Sequence, residues 1–392
     1  MVYIDYDLSS VKDLETNNLK LKRKQWIMNN KAYDIIKYDK NFLTYDMVDS
    51  IGLFRSIICN NNKILAFSPP KALNISVFMT QYEESECVAE EFVEGTMINL
   101  FYDHDINKWE IASKSTVGGN ITFYKDLPTF GELFYQICEE LNIKFDILSK
   151  DYCYSFVMQH PTNRFVISVI QKKLYLISIY KIDNDNYKVT EIPKMNYPNI
   201  ILPENISYPF GHYFTSYNEL IDAYGSMNTS TNIMGIVIRH KNGHRAKIRN
   251  PNYEYVKHLK GNNTKLQYQY LSLRKIGQVK DYLKFFPENN AQFLVFRSHL
   301  HLFTNNLYTN YIKCYIKKEK QLKEFPFQFR THMYNLHQHY LSIKIDGEHI
   351  NKKVVVNYIN NLEPAKLMFT LNYHLRTIIK PTTTSDVSSM EI

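Results

Sequence analysis

A chain of 392 residues with a formal net charge of +8 is long enough for two domains. Apolar residues make up 44% and charged residues 22%, which excludes wholesale disorder and collagen-like or low-complexity sequence. No run of about 18 apolar residues occurs, so no membrane-spanning helix is expected, and the polar start MVYIDYDLSS lacks the apolar stretch of a secretory signal.

Taken in chain order, LKRKQWIMNN, within residues 19–30, reads as a short helix or an edge strand. Residues 51–68 read as a hairpin around Asn60, Asn61 and Asn62. The turn SPPKALN (68–74) leads into the helix-like ISVFMTQYEESE. EEFVEGTMINLFYD (90–103) reads as one strand, paired with 108–116, and Gly118-Gly119-Asn120 as a turn. Phe130, Leu133, Phe134, Ile137 and Leu141 recur at helical spacing, which predicts a helix over 129–141. Strand-like runs follow at 152–160, 163–170 and 173–182, then a short helix at 217–227. Residues 233–250 read as a hairpin turning at Asn242-Gly243. From about 251 long helical patterns take over, such as 270–286 and 307–325. The boundary between a β-rich first domain and a basic helical second one is therefore placed after 255, with a disordered polar tail at 381–392.

The charge is split along the chain. Residues 236–380 hold 25 Lys and Arg against 8 Asp and Glu, whereas residues 1–235 hold 22 against 29. Ten of the 13 histidines also fall in 236–380. Such asymmetry points to a polyanion partner for the C-terminal part; the plain alternative is a solvated basic face. No basic amphipathic helix suited to a membrane surface is evident. Five scattered cysteines (Cys59, Cys87, Cys138, Cys153, Cys314) lack Cys-x-x-Cys spacing and read as free thiols of a reducing compartment, so no zinc site is expected. His332, His337 and His339, at spacings of five and two, do not share one helical face and read as surface or partly buried side chains. Tyr308, Tyr311, Tyr315, Tyr334 and Tyr340 could stack bases, though helical spacing makes them core candidates.

Several short strings, in order, resemble the ATP-dependent RNA ligases of T-even phage type, within the covalent nucleotidyltransferase superfamily. LFRSII with Arg55 resembles the upstream Arg-Gly segment. SPPKALN places Lys71 and Asn74 at a family lysine and asparagine. FVEGTM (92–97) sits where the nucleophile motif Lys-x-Asp-Gly lies, and SKSTVGG (113–119) resembles the segment after it. FVMQHPTNRFV (156–166), MGIVI (234–238) and KIRNPNY (247–253) resemble the later motifs. The resemblance covers roughly 50–255, and a similar set occurs in proteins of large DNA viruses. It implies an α+β fold: an ATP-grasp-like nucleotidyltransferase domain of antiparallel sheets plus helices over 1–255, followed by a mostly helical domain over 256–380. It also implies ATP and Mg as cofactors, RNA as partner, and a cytoplasmic location, with a viral factory or virion as the alternative.

The family's chemistry needs a lysine whose uncharged amine attacks the α-phosphate of ATP. Here that position is Phe92, and two acidic positions are Met234 and Val157. The cations that the pattern keeps are Arg55, Lys71, Lys114, Arg164, Lys247 and Arg249. Period-2 alternation puts Lys247 and Arg249 on one face of a strand. Glu94 matches the motif's acidic residue; it could bind a ribose hydroxyl or a metal, or be a carboxylate hydrogen-bonded opposite Lys114. Lys71 could be a substitute nucleophile, a phosphate contact or a surface lysine. The expectation is a nucleotidyltransferase-fold protein, degenerate in catalysis, that binds nucleotide or RNA ends. The alternatives are an active ligase with a relocated nucleophile, and an interaction protein on the same scaffold.

Overall fold

The computed structural model describes residues 3–12, 21–122 and 127–377. It divides into two compact units, Met1–His258 and Leu259–Ile392, close to the predicted change from strands to helices. The predicted tail 381–392 lies outside the described residues. None of the described helices is long and apolar enough to cross a membrane.

The first unit runs β1 Ile4–Asp7, β2 Leu21–Met28, β3 Lys31–Tyr38, β4 Ile57–Asn60, β5 Lys63–Phe67, α1 Ile75–Gln81, β6 Cys87–Glu91, β7 Thr96–Asp103, β8 Lys108–Ala112 and α2 Phe130–Glu140. It continues with β9 Tyr152–Gln159, β10 Lys173–Asp183, β11 Lys188–Glu191, β12 Gly211–His212, α3 Tyr217–Tyr224, β13 Gly235–His240, β14 Arg245–Arg249 and α4 Pro251–Lys260. Three antiparallel sheets result, ordered β1-β11-β10-β9-β7-β8, β12-β6-β13-β14 and β2-β3-β4-β5. The fold class is α+β, with a helical C-terminal region, as the sequence leads one to expect.

Helix α2 starts at a capping box between Thr129 and Glu132 and lays Leu133, Phe134 and Ile137 on Ile98, Leu100, Phe156 and Met158 of the six-stranded sheet. Each such side chain contributes about 1.5–3 kcal/mol by leaving water. On the second sheet, Ile236, Ile238, Ala246 and Ile248 pack against Phe78 of α1 and Leu220 of α3. One face of each of these two sheets is thus committed to helices, which leaves other faces for a site.

Several sequence expectations need correction. The run 90–103 is two strands in different sheets, because the chain turns at Phe92–Gly95. Gly95 has φ 154°, and a side chain there would meet Met158 O at 2.4 Å, so only glycine fits the turn. The run 163–170 is not a strand: a short 3-10 turn at Pro161–Asn163 precedes irregular chain whose N–H groups bond a carboxylate instead of a ladder. The hairpin in 51–68 spans only β4 and β5, while Ile51–Leu53 is a 3-10 turn. The predicted helix 270–286 is two, Leu266–Lys275 and Val279–Phe285, broken at Gly277 with φ 74°.

The second unit continues with Asn290–Tyr311, extended by a π-helical turn to Ile316, then Phe327–Ile343, Lys352–Asn361, Pro364–Leu371 and His374–Thr377. The predicted 307–325 helix therefore ends at that π turn, after which Lys318 adopts φ 56°. His332 is buried, bonded to Tyr358 Oη at 2.8 Å and Thr370 Oγ1 at 3.1 Å, and burial pushes it down to about 4. His337 stacks on Tyr315 at 3.9 Å, and Tyr311 is buried beside them.

Candidate functional site

The hairpin β13–β14 sets the site. Val237 pairs with Lys247, Arg239 with Arg245, and Gly235 with Arg249. Directly opposed residues of antiparallel strands share a face. Arg239, Arg245, Lys247 and Arg249 therefore stand together on the face turned away from α1 and α3. Glu90 of β6 is opposite Val237 and joins them. Phe92 follows two residues later. Lys247 Nζ lies 4.0 Å from the centroid of its ring and the Arg249 guanidinium carbon 5.6 Å.

Met97 of β7, Val157 of β9 and Ile177 of β10 reach the same space from the six-stranded sheet, with Val93 beside them. Arg55, just before β4, enters from a third side. The cavity so enclosed has a volume of about 50 Å³, an apolar floor and a cationic wall. That is room for a few waters.

The cations differ in their partners. Arg239 is neutralised by Glu90 and Glu191, and Arg249 by Glu254 at 2.8 Å. Arg55, Arg245 and Lys247 form no salt bridge among the described residues. Two proline carbonyls hold the arginines: Arg55 Nη1 donates to Pro69 O at 3.5 Å and Arg245 Nη2 to Pro70 O. The Pro-Pro dipeptide thus orients two guanidinium groups. Arg245 is 5% exposed and its Nε has no hydrogen-bond partner. Burial, then the charges of Arg239 and Arg55, lower it to about 10. Burial, then Arg245, Arg55 and Arg249, push the Lys247 amine down to about 6. A partly buried cluster in which cations outnumber carboxylates is the electrostatic signature of an anion site.

Of the residues singled out from sequence, Arg55 and Lys247 line this cavity and Arg249 covers Phe92 at its edge. Lys71 is exposed, donates to Ala72 O at 2.9 Å, and lines an adjoining cavity of about 320 Å³ that shares Arg245. Burial, Arg55 and Arg249 lower its pKa. Lys114 is exposed, and its pKa is lowered by burial, then by Lys40 and Arg55. Arg164 donates from Nε to Val166 O at 3.0 Å and lies outside the cavity lining. Asn74 caps α1 through Ser76 N.

Glu94 is buried, and it does not face Lys114. Its carboxylate accepts from Val166 N at 3.1 Å and Ile167 N at 3.1 Å, which ties the irregular 164–167 segment to the turn after Phe92. Loss of the acceptor strands one buried and one partly buried N–H group. Glu94→Ala should therefore lower stability by about 3 kcal/mol and Glu94→Gln by about 1 kcal/mol in urea denaturation. A residue serving only a ligand would leave stability unchanged.

Arg245 and Arg239 were missed by sequence reasoning. The alternation that pairs Lys247 with Arg249 extends to Arg245, and the Asn242-Gly243 turn brings Arg239 opposite. A divalent cation does not fit here. Glu90 is engaged by Arg239 and Lys194, Glu94 by backbone N–H groups, and Glu91 accepts from Phe210 N at 3.3 Å. No cluster of three potential metal ligands occurs among the described residues.

No family model and no curated protein matches the chain. Among solved structures it is similar to an archaeal ATP-dependent RNA ligase, at 11% identity and TM-score 0.42, over 68% of this chain and 66% of that one. It is also similar to a mutant Naegleria gruberi RNA ligase with ATP and Mn, at 9% identity and TM-score 0.34, over 64% of this chain and 83% of that one. Likeness at this level leaves the site's chemistry to rest on the residues themselves.

Proposed function

We propose that this chain is an RNA-ligase-like protein of nucleotidyltransferase fold that binds nucleotide or RNA ends and lacks standard lysine adenylation. One observation carries the reading: the ring of Phe92, at the nucleophile position of the motif resemblance, lies beneath Lys247 and Arg249 at a cavity walled by buried arginines. A phenyl ring cannot attack phosphorus, whereas the surrounding cations suit phosphoryl oxygens. The excess of Lys and Arg over 236–380 supports an RNA partner. ATP with a divalent metal is what the resemblance implies; the acids that would hold such a metal are engaged elsewhere.

The test has two arms. Incubation with α-labelled ATP should leave no acid-labile protein–AMP adduct. RNA binding should weaken steeply with salt, and Lys247→Ala/Arg249→Ala should lower the slope of log affinity against log salt by about 2. An adduct would overturn the loss of adenylation, and salt-independent binding or none would overturn the RNA reading.

A further inference from the structure

A second group of cations stands outside the cavity, at one end of the β2–β3 hairpin. We propose that Lys24, Lys37, Lys40 and Lys114 form a track that holds the backbone phosphates of an RNA strand along this end of the hairpin. The inference rests on the reading that the chain binds RNA, and it names where the strand lies rather than how its end is held.

Antiparallel pairing sets Lys22 opposite Lys37 and Lys24 opposite Ile35, so Lys22, Lys24 and Lys37 share a face. Farther along the same face Trp26 and Met28 pack against the core, so the sheet is anchored at one end and presents lysines at the other. The 113–119 loop meets that lysine end. Lys24 Nζ donates to Ser115 O at 3.4 Å and Lys37 Nζ to Ser115 Oγ at 3.0 Å, which brings two ammonium groups to one serine. Lys114, next to that serine, is exposed, and so is Lys40 just after β3. Ser56 Oγ donates to Lys114 O at 3.2 Å, which sets the loop beside Arg55 of the cavity lining.

The nearby acids serve other cations. Asp39 pairs with Lys22 at 2.9 Å and Asp34 with Arg23 at 2.7 Å. Lys24, Lys37, Lys40 and Lys114 form no salt bridge among the described residues. Burial, then Lys24 and Lys22, lower the pKa of Lys37; burial, then Lys40, Arg55 and Lys37, lower that of Lys114. Like charges from three separate segments are thus held together at a mutual cost, which phosphates spaced along a strand would offset. Lysines on an edge strand also deter strand pairing. That accounts for β2, the edge of its sheet, and not for Lys37, Lys40 or Lys114. The partly buried ring of Trp26 lies 4.6 Å from Lys24 Nζ. An aromatic ring among lysines favours RNA over an acidic protein, since bases stack on such rings while the backbone follows the charge.

The experiment measures binding of a labelled 5′-hydroxyl oligoribonucleotide to the full chain by fluorescence anisotropy over a range of salt concentrations. The 5′-hydroxyl end offers no terminal phosphate to the cavity beside Phe92. Lys24→Gln/Lys37→Gln/Lys40→Gln should bind about tenfold more weakly at about 0.1 M salt, and its slope of log affinity against log salt should be shallower by about 2. Removing three exposed lysines elsewhere on the same unit, in Lys108→Gln/Lys144→Gln/Lys181→Gln, should change affinity by less than about twofold, because screening confines the effect to nearby charges. Arginine at positions 24, 37 and 40 keeps the charge and should bind as the wild type does. RNA should also shift the tryptophan emission of the wild type, and Trp26→Phe should lose that shift. A wild-type slope in the glutamine variant, an equal loss in the control variant, or an emission unmoved by RNA would each overturn the track and leave RNA binding by the chain intact. No RNA binding by the wild type would overturn the RNA reading and the track together. Polyglutamate bound as tightly as RNA, and weakened equally in the glutamine variant, would assign the surface to an acidic protein and overturn the proposal.

Discussion

Replacing Lys247 with methionine should make the protein more stable at pH 7, by on the order of 3 kcal/mol. The lysine is half-buried against the Phe92 ring, and burial together with Arg245, Arg55 and Arg249 pushes its amine from 10.5 to about 6. At pH 7 the unfolded chain holds this amine protonated and the folded chain holds it largely neutral. The unfolded state therefore binds the additional proton, and the site's contribution to stability climbs by about 1.4 kcal/mol per pH unit between pH 6 and 10.5. Methionine has similar length, packs on an aromatic ring, and carries no charge to desolvate. The gap between variant and wild type should narrow as pH rises towards 10, read from urea denaturation at pH 7, 8 and 9. A variant less stable than wild type at every pH would mean that the amine is held by something favourable and that the cations are not in conflict. Added sulfate should stabilise the wild type by mass action and the variant less, since Arg55 and Arg245 remain in place. Stability given up at one position in exchange for an anion grip is the pattern expected of a binding site.

How much of this was legible in the sequence depends on the range of each interaction. The β13–β14 hairpin was, because Asn242-Gly243 is a local turn signal and alternation along a strand needs only neighbours. The shared face of Lys247 and Arg249 follows from the same rule. The break at Phe92–Gly95 was not, because a run of strand formers looks continuous until Met158 O, about sixty residues away in sequence, forbids a side chain at 95. The irregular 164–167 segment was misread as a strand for the same reason: its N–H groups are satisfied by Glu94, which sequence proximity does not reveal. Arg245 escaped notice although its position on β14 is as legible as that of Lys247. Its burial, and the proline carbonyl that holds it, come from the loop after β5. Arg55, Lys247 and Phe92, singled out by the motif resemblance, meet at one cavity, and the carboxylate of Glu94 is engaged by backbone N–H groups rather than standing opposite Lys114.

Arg239→Met should cost about 3–5 kcal/mol at pH 7, the largest loss among the single substitutions considered. Arg239 bonds Glu90 within its own sheet and reaches Glu191 of the six-stranded sheet at 3.4 Å. Glu191 in turn accepts from Tyr6 Oη at 2.9 Å and Ser178 Oγ at 2.9 Å. One guanidinium thereby ties two sheets on either side of the cavity. Methionine fills similar volume but leaves Glu90, 7% exposed, with Lys194 as its remaining ionic partner. Burial works to raise the Glu90 carboxyl, and at present Arg239 and Lys194 outweigh it and hold it low. Without Arg239 the carboxylate is a buried charge half compensated, so its pKa rises and the variant's deficit shrinks as pH falls and the group protonates. Removing the acid as well, in Arg239→Met/Glu90→Leu, should recover part of the loss, because Glu90 no longer stands half compensated, while Lys194 and Glu191 each give up an ionic partner. Urea denaturation of the two single variants and the double variant at pH 7 and pH 5 reads all of this. A double variant as unstable as the sum of the singles would mean that Arg239 and Glu90 act independently, and that the join between the sheets lies elsewhere.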